Sequence, residues 1–191
     1  MRKLILIAHT SLDGFVAAPN GDLSWFPGGE ESLQFVCGLT KSADAALFGR
    51  SSFQLLDAYW PTAKDKRGAT TGEIAYSQWY NSATKIVLSK TIQGDKTNNV
   101  IVIGENAIDE INAIRQKGGK DILIFGSPAA AQYLMQYDCI DEYWIFINPI
   151  LFGEGIALFP KSDHRTAVRL LETYQIVNGE VAIHYEVKRK S

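Results

Sequence analysis

The stretch Ile122-Leu123-Ile124-Phe125-Gly126-Ser127-Pro128-Ala129 is the most informative part of the chain. A continuous apolar run, typical of a fully buried strand, stops at a glycine and a hydroxyl residue, and a helical pattern begins after the proline. The first amides of such a helix lack partners within it, and together with the helix dipole they attract an anion. We therefore expect Gly126, Ser127 and Ala129 to form part of a phosphate-binding site.

A second strand-to-helix junction upstream repeats this arrangement. The run Ala45-Ala46-Leu47-Phe48 ends at Gly49, and the helix that follows opens with Arg50, Ser51 and Ser52. A cation at a helix N-terminus opposes the helix dipole, so the position of Arg50 favours an anion ligand over a merely solvated side chain. Two such junctions are suited to binding one diphosphate between them.

Length and composition exclude several classes of function. The 191 residues, 46% hydrophobic and 21% charged, are typical of a single globular domain over residues 1–191. The formal net charge of -2 gives no broad basic field for nucleic acid. No apolar run approaches the roughly 20 residues that span a bilayer, and the apolar start is too short for a secretion signal. Cys37 and Cys139 lack metal-ligand spacing. We expect a cytoplasmic protein with no metal, nucleic-acid or membrane partner.

The rest of the chain alternates strand and helix patterns. This alternation predicts an α/β protein with a central mixed, mainly parallel sheet and helices on both faces. Asn178-Gly179 predicts a two-residue hairpin, so the sheet ends antiparallel. The predicted strands are 2–9, continued through a kink at 13–14 to 18, then 45–48, 85–90, 99–103, 121–125, 141–149, 167–177 and 180–188. The predicted helices are 30–42, 50–58, 73–81, 107–117 and 129–136.

Two aromatic residues, Trp25 and Phe26, lie in an irregular segment between turn-forming residues. Such a loop can act as a lid over a bound ligand. The two rings are candidates for the wall of a pocket that holds a flat heterocycle. The alternative is that they are half-buried packing residues that also fill a dimer surface.

Six segments along nearly the whole chain carry a family resemblance through their order and spacing. They are Ser11-Leu12-Asp13-Gly14, Leu47-Phe48-Gly49-Arg50, Val87-Leu88-Ser89-Lys90, Phe125-Gly126-Ser127, Ile140-Asp141-Glu142 and 148–155. Together they resemble the dihydrofolate reductase-like fold, and specifically its branch related to the reductase domain of the bacterial riboflavin-biosynthesis deaminase/reductase. The resemblance implies a three-layer fold, NADPH as cofactor, and a reduced heterocycle, a pterin or a ribosylated pyrimidine, as product, similar to dihydrofolate reductase and 5-amino-6-(5-phosphoribosylamino)uracil reductase.

A cofactor with a 2′-phosphate needs a second anion site besides the one for its diphosphate. Ser89 and Lys90 supply a hydroxyl and a cation just beyond a strand end. Lysine is a point charge where arginine is a fork, so we expect a modest preference for NADPH. The resemblance places the nicotinamide beside the first strand and the segment returning from it, at Ala8, His9, Val16 and Ala17. For His9, the alternative is a hydrogen-bonded core imidazole.

The resemblance also suggests two candidate catalytic acids. Folate-reducing relatives use a carboxylate on the helix after the mobile loop, where Glu30 and Glu31 are the nearest acids, and we assign Glu31. The riboflavin-type branch has an aspartate-glycine pair near the substrate, which makes Asp13 the second candidate. Each has a structural alternative, because first-turn acids stabilise a helix and Asp-Gly favours a tight turn.

The leading hypothesis is an NADPH-dependent reductase of a pterin-like or aminopyrimidine heterocycle. The segment 55–71 differs from the arginine-bearing substrate stretch of the riboflavin enzyme, which argues against a phosphoribosyl substrate. The rival hypothesis is a nucleotide-binding protein of the same fold without turnover. Apolar residues on both faces of the strand at 143–147 predict a homodimer through that strand.

Overall fold

A computed structural model describes residues 1–26, 28–92, 99–163 and 165–189. Its strands are β1 Leu4–Ser11, β2 Phe15–Ala17, β3 Ala43–Gly49, β4 Thr84–Leu88, β5 Val100–Ile103, β6 Asp121–Phe125, β7 Glu142–Asn148, β8 Ile156–Ala157, β9 Val168–Gln175 and β10 Val181–Val187. Its helices are α1 Glu30–Thr40, α2 Arg50–Asp57, α3 Trp60–Ala63, α4 Thr71–Ser82, α5 Ala107–Gln116 and α6 Pro128–Gln136.

Eight strands form the central sheet in the order β5-β4-β3-β6-β1-β7-β10-β9. The six strands from β5 to β7 are mutually parallel, while β10 pairs antiparallel with both β7 and β9. The predicted mixed, mainly parallel sheet with an antiparallel C-terminal hairpin is therefore confirmed. A separate small sheet joins β2 to β8 in antiparallel orientation.

Helices cover both faces of the central sheet, which explains why its inner strands are continuous apolar runs. On one face, Leu6 and Ile124 belong to the same buried cluster as Ile111 of α5 and Leu134 of α6. The next residues along the same strands point to the other face, where they pack with Val36 of α1 and with Tyr76 and Tyr80 of α4. The three-layer arrangement is confirmed.

The predicted kink in the first strand is a full departure from the main sheet. The strand ends at Ser11, Gly14 adopts a left-handed φ of 88°, and the chain returns as β2 to pair with β8. A residue with a side chain is strained at that φ, so the Asp13-Gly14 signal has a conformational cause.

The prediction of a two-residue hairpin at Asn178-Gly179 is wrong. β9 ends at Gln175 and β10 begins at Val181, and the five residues between them include a 3₁₀ turn over Val177–Gly179. The Ile176 amide donates to the Glu180 carbonyl oxygen at 2.8 Å, which closes this longer loop. The extra residues place Glu180 at the sheet edge where the parallel strands end.

β7 is an interior strand, which removes the reason for expecting a second copy of the chain there. It pairs with β1 on one side and β10 on the other, and five of the seven residues of Glu142–Asn148, from Glu142 to Phe146, are buried in an unbroken run. The outer strand at this side of the sheet is β9.

Among the described residues, no helix combines the length and the apolarity that a membrane crossing requires.

Candidate functional site

The parallel strands end at a cleft of about 1520 Å³. In open α/β sheets this edge, beyond the carboxyl ends of the strands, is the usual place for a ligand. Each residue that the sequence assigns to the cofactor lines this one cleft. The set comprises Ala8, His9, Val16, Ala17, Gly49, Arg50, Ser51, Ser52, Ser89, Lys90, Gly126, Ser127 and Ala129.

The two strand-to-helix junctions lie side by side because β3 and β6 are neighbours in the sheet. The Gly49 amide donates to Ser127 Oγ at 2.8 Å, which ties one junction to the other. A Cβ on Gly49 would lie 2.4 Å from that oxygen, so only glycine permits the approach. Gly126 and Ser127 adopt successive left-handed φ values of 52° and 51° and turn the chain into α6. The junctions therefore form one continuous backbone surface.

The cationic residues form a cluster beside this surface. The Arg50 guanidinium donates to Thr91 Oγ1 at 2.9 Å, so it lies over the turn that follows β4. In that turn Ser89 Oγ accepts the amides of Thr91 and Ile92, at 3.2 and 3.0 Å. Arg50 thus lies with Ser89 and Lys90, which the sequence assigns to a different phosphate.

The cleft continues into an adjoining hollow of about 650 Å³ at the end of β5. Lys90, Gly104 and Glu105 line both spaces. Sequence reasoning missed residues 104–106, since only the glycine after the strand Val100–Ile103 marks them, and missed Thr91, whose hydroxyl next to Lys90 was an available signal.

His9 combines both of the roles considered for it. It lines the cleft, and its Nδ1 lies 2.8 Å from Glu180 Oε1. Its ring stacks on Phe146 at 4.5 Å between centroids and meets Phe26 edge-on at 4.4 Å. Sequence reasoning missed Glu180, because 171 positions separate it from His9 and no local pattern joins them.

Trp25 and Phe26 both line the cleft. Trp25 also packs edge-on against Phe152 at 5.1 Å, so the aromatic loop rests on the segment that follows β7. The two roles considered for these rings, pocket wall and packing, are therefore compatible.

Three buried polar atoms beside the aromatic loop lack a hydrogen bond of ordinary geometry within the described residues. They are Trp25 Nε1, Glu30 Oε2 and Ser32 Oγ, and all three residues line the cleft. Buried polar atoms without partners are uncommon in folded proteins, and a ligand is one explanation for them. Together they present a donor, an anionic acceptor and a hydroxyl.

Glu30 is held by the start of α4. Its Oε1 accepts the Gly72 amide at 2.8 Å and the Gln34 side-chain amide at 2.7 Å. The nearby Thr70 hydroxyl, followed by these two donors, holds the pKa of Glu30 below its ordinary value. Glu30 is therefore an ionised acceptor at neutral pH, and it cannot serve there as a proton donor.

The two acids assigned to catalysis do not line the cleft. Asp13 accepts the Ser11 hydroxyl at 2.6 Å and the Gly153 amide at 2.7 Å, so it fixes the loop after β7. The Ser11 hydroxyl, with the backbone amides, lowers the pKa of Asp13. Glu31 is exposed in the first turn of α1, where its charge complements the helix dipole. The geometry thus supports the structural alternative for each, and the acid of this helix that faces the cleft is Glu30.

The family model described as the RibD C-terminal domain matches residues 2–182. This chain belongs to the RibD C-terminal domain family. The resemblance to the riboflavin-type reductase domain is thereby confirmed. Among relatives, the uncharacterized protein YyaP of Bacillus subtilis (strain 168) is 30% identical over 184 residues, which cover 96% of this chain and 94% of YyaP.

Solved structures confirm the dihydrofolate reductase-like fold. A putative riboflavin biosynthesis protein from Shewanella sp. PV-4 superposes with a TM-score of 0.76 at 22% identity, covering 98% of this chain and 99% of that one. Dihydrofolate reductase from Enterococcus faecalis, in complex with NADP(H) and RAB-propyl, gives a TM-score of 0.61 at 18% identity, covering 98% and 97%. These neighbours show the fold, and the RibD C-terminal domain family suggests an oxidoreductase.

Proposed function

We propose that this RibD C-terminal domain protein is an NADPH-dependent reductase of a flat nitrogen heterocycle of the pterin-like or aminopyrimidine class. One observation carries the proposal: a single cleft joins an end suited to phosphates with an end suited to a flat ring. Arg50 and Lys90 lie at the first end, whereas Trp25 and the half-buried Glu30, whose Oε2 is enclosed, lie at the second.

The residues at the first end fit a dinucleotide phosphate. The surface at Gly49 has no room for a Cβ. The left-handed conformations of Gly126 and Ser127 leave the backbone exposed to a ligand at the start of α6. In this proposal the hydroxyls of Ser51 and Ser52 join them around the diphosphate. When bound, NADPH supplies a hydride for the reduction, while the chain positions the two reactants and excludes water.

The cationic cluster is proposed to bind the 2′-phosphate. Arg50 adds a fork of donors to the point charge of Lys90, since its guanidinium already lies over the Ser89 turn. The preference for NADPH over NADH is therefore expected to depend on Arg50 as well as on Lys90.

The second end favours a ring without a phosphoribosyl group. Among the described residues that line the cleft, the arginine and lysine side chains are Arg50 and Lys90, and both belong to the nucleotide end. Aromatic and acidic groups line the opposite part, namely Trp25, Phe26, Tyr59, Trp60, Tyr76, Glu30 and Glu73. An amino-substituted ring matches this lining, because its N–H groups can donate to the ionised Glu30 and its face can stack on the aromatic side chains.

The test is a panel of pterins and aminopyrimidines, with and without a phosphoribosyl group, added to the protein with NADPH while the nicotinamide absorbance is followed. We expect oxidation with compounds that lack the phosphate. NADPH binding without oxidation across the panel would favour the rival hypothesis of a nucleotide-binding protein without turnover.

Two neighbouring acids give a matched pair of variants for this assay. Glu30→Gln is expected to lower kcat/KM by roughly 10-fold or more, since a charge-assisted bond to the ring is lost. Glu31→Gln, one residue on and exposed, is expected to remain within about twofold of the parent. Equal losses in both variants would contradict the assignment of Glu30.

We also propose a homodimer, now through the outer strand β9. Every residue of Val168–Gln175 is exposed, and Leu170 and Tyr174 are 52% and 44% accessible. Such an edge leaves strand hydrogen-bonding groups open to a second chain. Light scattering is expected to show a dimer that Leu170→Lys dissociates, whereas Leu12→Lys, at an exposed residue elsewhere, leaves it intact. A monomeric parent protein at working concentration would contradict this proposal.

A further inference from the structure

A buried carboxylate lies behind the histidine of the cleft. Glu180 immediately precedes β10, whose first residue, Val181, pairs with Ile147 near the end of β7. This antiparallel start brings Glu180 to the edge where the parallel strands end. Its side chain is 4% exposed, whereas that of His9 is 21% exposed, and His9 Nδ1 lies 2.8 Å from Glu180 Oε1.

The imidazole is held in one orientation from three directions. Phe146 stacks on one face, Phe26 meets the ring edge-on, and Glu180 holds Nδ1. Within the described residues, the hydrogen bond that the structure records on this ring is at Nδ1 alone. Nε2 can therefore exchange a proton with a ligand in the cleft. Glu180 from the hairpin contacts the ring itself, while Glu30 from α1 and Glu73 from α4 are acidic residues that line the cleft.

Glu180 is an ionised hydrogen-bond acceptor at neutral pH. Burial raises the pKa of this carboxyl, but the hydrogen bond and charge of His9, with smaller contributions from Ser32 and Asn148, leave it below its ordinary value. An ionised carboxylate at Nδ1 accepts a hydrogen bond from an N–H there and so fixes which nitrogen of the ring faces it.

We propose that His9 is the proton donor of the reduction and that Glu180 is its positioning residue. This inference rests on the proposed reductase function and supplies the acid that Asp13, Glu30 and Glu31 do not. As the hydride adds to the carbon of a C=N or C=O bond, the proton on Nε2 passes to the nitrogen or oxygen. The double bond becomes a single bond, the imidazole is left neutral, and it regains its proton from solvent before the next turnover.

The same chain contains a second histidine-carboxylate cluster that serves as a control. His184 contacts Glu142 through Nε2 at 2.9 Å and Glu172 through Nδ1 at 3.0 Å, and it stacks on Trp144. Both of its nitrogens are occupied, and it does not line the cleft. His184→Gln therefore removes a comparable buried pair without reaching the proposed reaction site.

The first test needs no substrate. The imidazole N–H resonances of the ligand-free protein are compared by NMR with those of Glu180→Gln at one pH, with His9→Gln and His184→Gln used to assign the spectrum. We expect the Nδ1–H resonance of His9 to lie downfield in the parent, as in a hydrogen bond to a carboxylate, and to move upfield in Glu180→Gln, because a neutral amide oxygen is the weaker acceptor. An unchanged Nδ1–H resonance would overturn the role of Glu180.

The second test measures single-turnover NADPH oxidation between pH 5 and 9 with an active compound from the panel. His9→Gln is expected to slow the step by about 100-fold or more and to abolish its decline with rising pH, the range expected for loss of a general acid. Glu180→Gln is expected to move that decline to lower pH, and His184→Gln to leave the rate and profile unchanged. A pair with only a structural role would alter stability and leave the pH profile in place.

The outcomes separate this inference from the function on which it rests. If the parent protein oxidises NADPH and the rate of His9→Gln is within about threefold of the parent rate, the inference alone is overturned. If none of the panel compounds causes the parent to oxidise NADPH, the proposed function is contradicted, and the inference falls with it. Circular dichroism checks the fold of each variant, and if His9→Gln does not fold, the two readouts on Glu180→Gln decide the matter.

Discussion

The contact between the two junctions can be tested by adding one methyl group to Gly49. Its backbone is extended, with φ −81° and ψ 165°, so alanine is conformationally allowed and only space opposes it. The new Cβ would lie 2.4 Å from Ser127 Oγ, and reaching the ordinary contact distance of 3.4 Å requires a shift of about 1 Å. That shift breaks the 2.8 Å hydrogen bond from the Gly49 amide.

The expected loss is the sum of two effects. Overpacking a close contact costs about 1–3 kcal/mol, and losing the hydrogen bond costs about 1 kcal/mol more. We therefore expect Gly49→Ala to lower the free energy of unfolding by about 2–4 kcal/mol. It should also weaken NADPH binding, since the start of α6 moves away from the proposed diphosphate.

A double-mutant cycle shows whether the clash with Ser127 is the cause. Ser127→Ala alone leaves the Gly49 amide unpaired, which lowers the free energy of unfolding by about 1–2 kcal/mol. In that background the added Cβ would meet only Ala130 Cβ at 3.5 Å and the Cβ of residue 127 at 3.8 Å, which are ordinary contacts. Gly49→Ala should then cost less than about 0.5 kcal/mol, and the coupling should be about 2 kcal/mol.

The assay is urea denaturation together with fluorescence titration of NADPH. Gly38→Ala is the control, because a Cβ there meets nothing within 4 Å and alanine favours the helix by about 0.5–1 kcal/mol. Strictly additive losses for Gly49→Ala and Ser127→Ala would refute the reasoning.

Three further outcomes are expected. Arg50→Ala weakens NADPH binding by roughly 10-fold in a fluorescence titration and NADH binding less, since the lost cation faces the proposed 2′-phosphate; equal losses would remove Arg50 from that site. Asp13→Asn lowers the midpoint of thermal unfolding but leaves NADPH affinity within about twofold, because its carboxylate binds the loop after β7 rather than the cleft. Folding lowers the pKa of Glu180, so the stability that this carboxylate contributes is present above pH 4.5 and is lost as the pH falls through the lower folded value. Glu180→Gln should therefore flatten the pH dependence of the free energy of unfolding in that acid range, as measured by urea denaturation.

The two glycine-ended junctions of the cleft were predictable because their signals are local. A buried strand that ends in glycine and continues as a helix specifies a turn and a set of free amides wherever the fold places it. Two such junctions in one parallel sheet open at the same edge, so Gly49 and Gly126 were expected to meet. The Ser127–Gly49 hydrogen bond needed the sheet order as well, since 78 positions separate the two residues.

The acid of α1 that lines the cleft was missed by one residue for a geometric reason. Successive residues of a helix are rotated by about 100°, so a shift from Glu30 to Glu31 turns a side chain away from the cleft. Composition and spacing do not specify that rotation. The positions of Gly72 and Gln34, which bind Glu30, specify it in the folded chain.

The histidine-carboxylate pair and the outer strand depend on topology. Glu180 reaches His9 only because β10 turns back beside β7 through a five-residue loop, whereas the sequence favoured a two-residue turn. The same hairpin covers β7 and makes β9 the outer strand. Strand order in a mixed sheet is a property of the whole chain, which is why local patterns predicted the strands but not their neighbours.

The central claim is that one pyrophosphate bridge lies between the two glycine-ended junctions, and a crystal structure of the protein with NADP⁺ tests it most directly. The account predicts electron density for the diphosphate within hydrogen-bond distance of the backbone at residues 49–52 and 126–129, with the 2′-phosphate beside Arg50, Ser89 and Lys90. A dinucleotide bound with its diphosphate elsewhere on the protein would contradict the account.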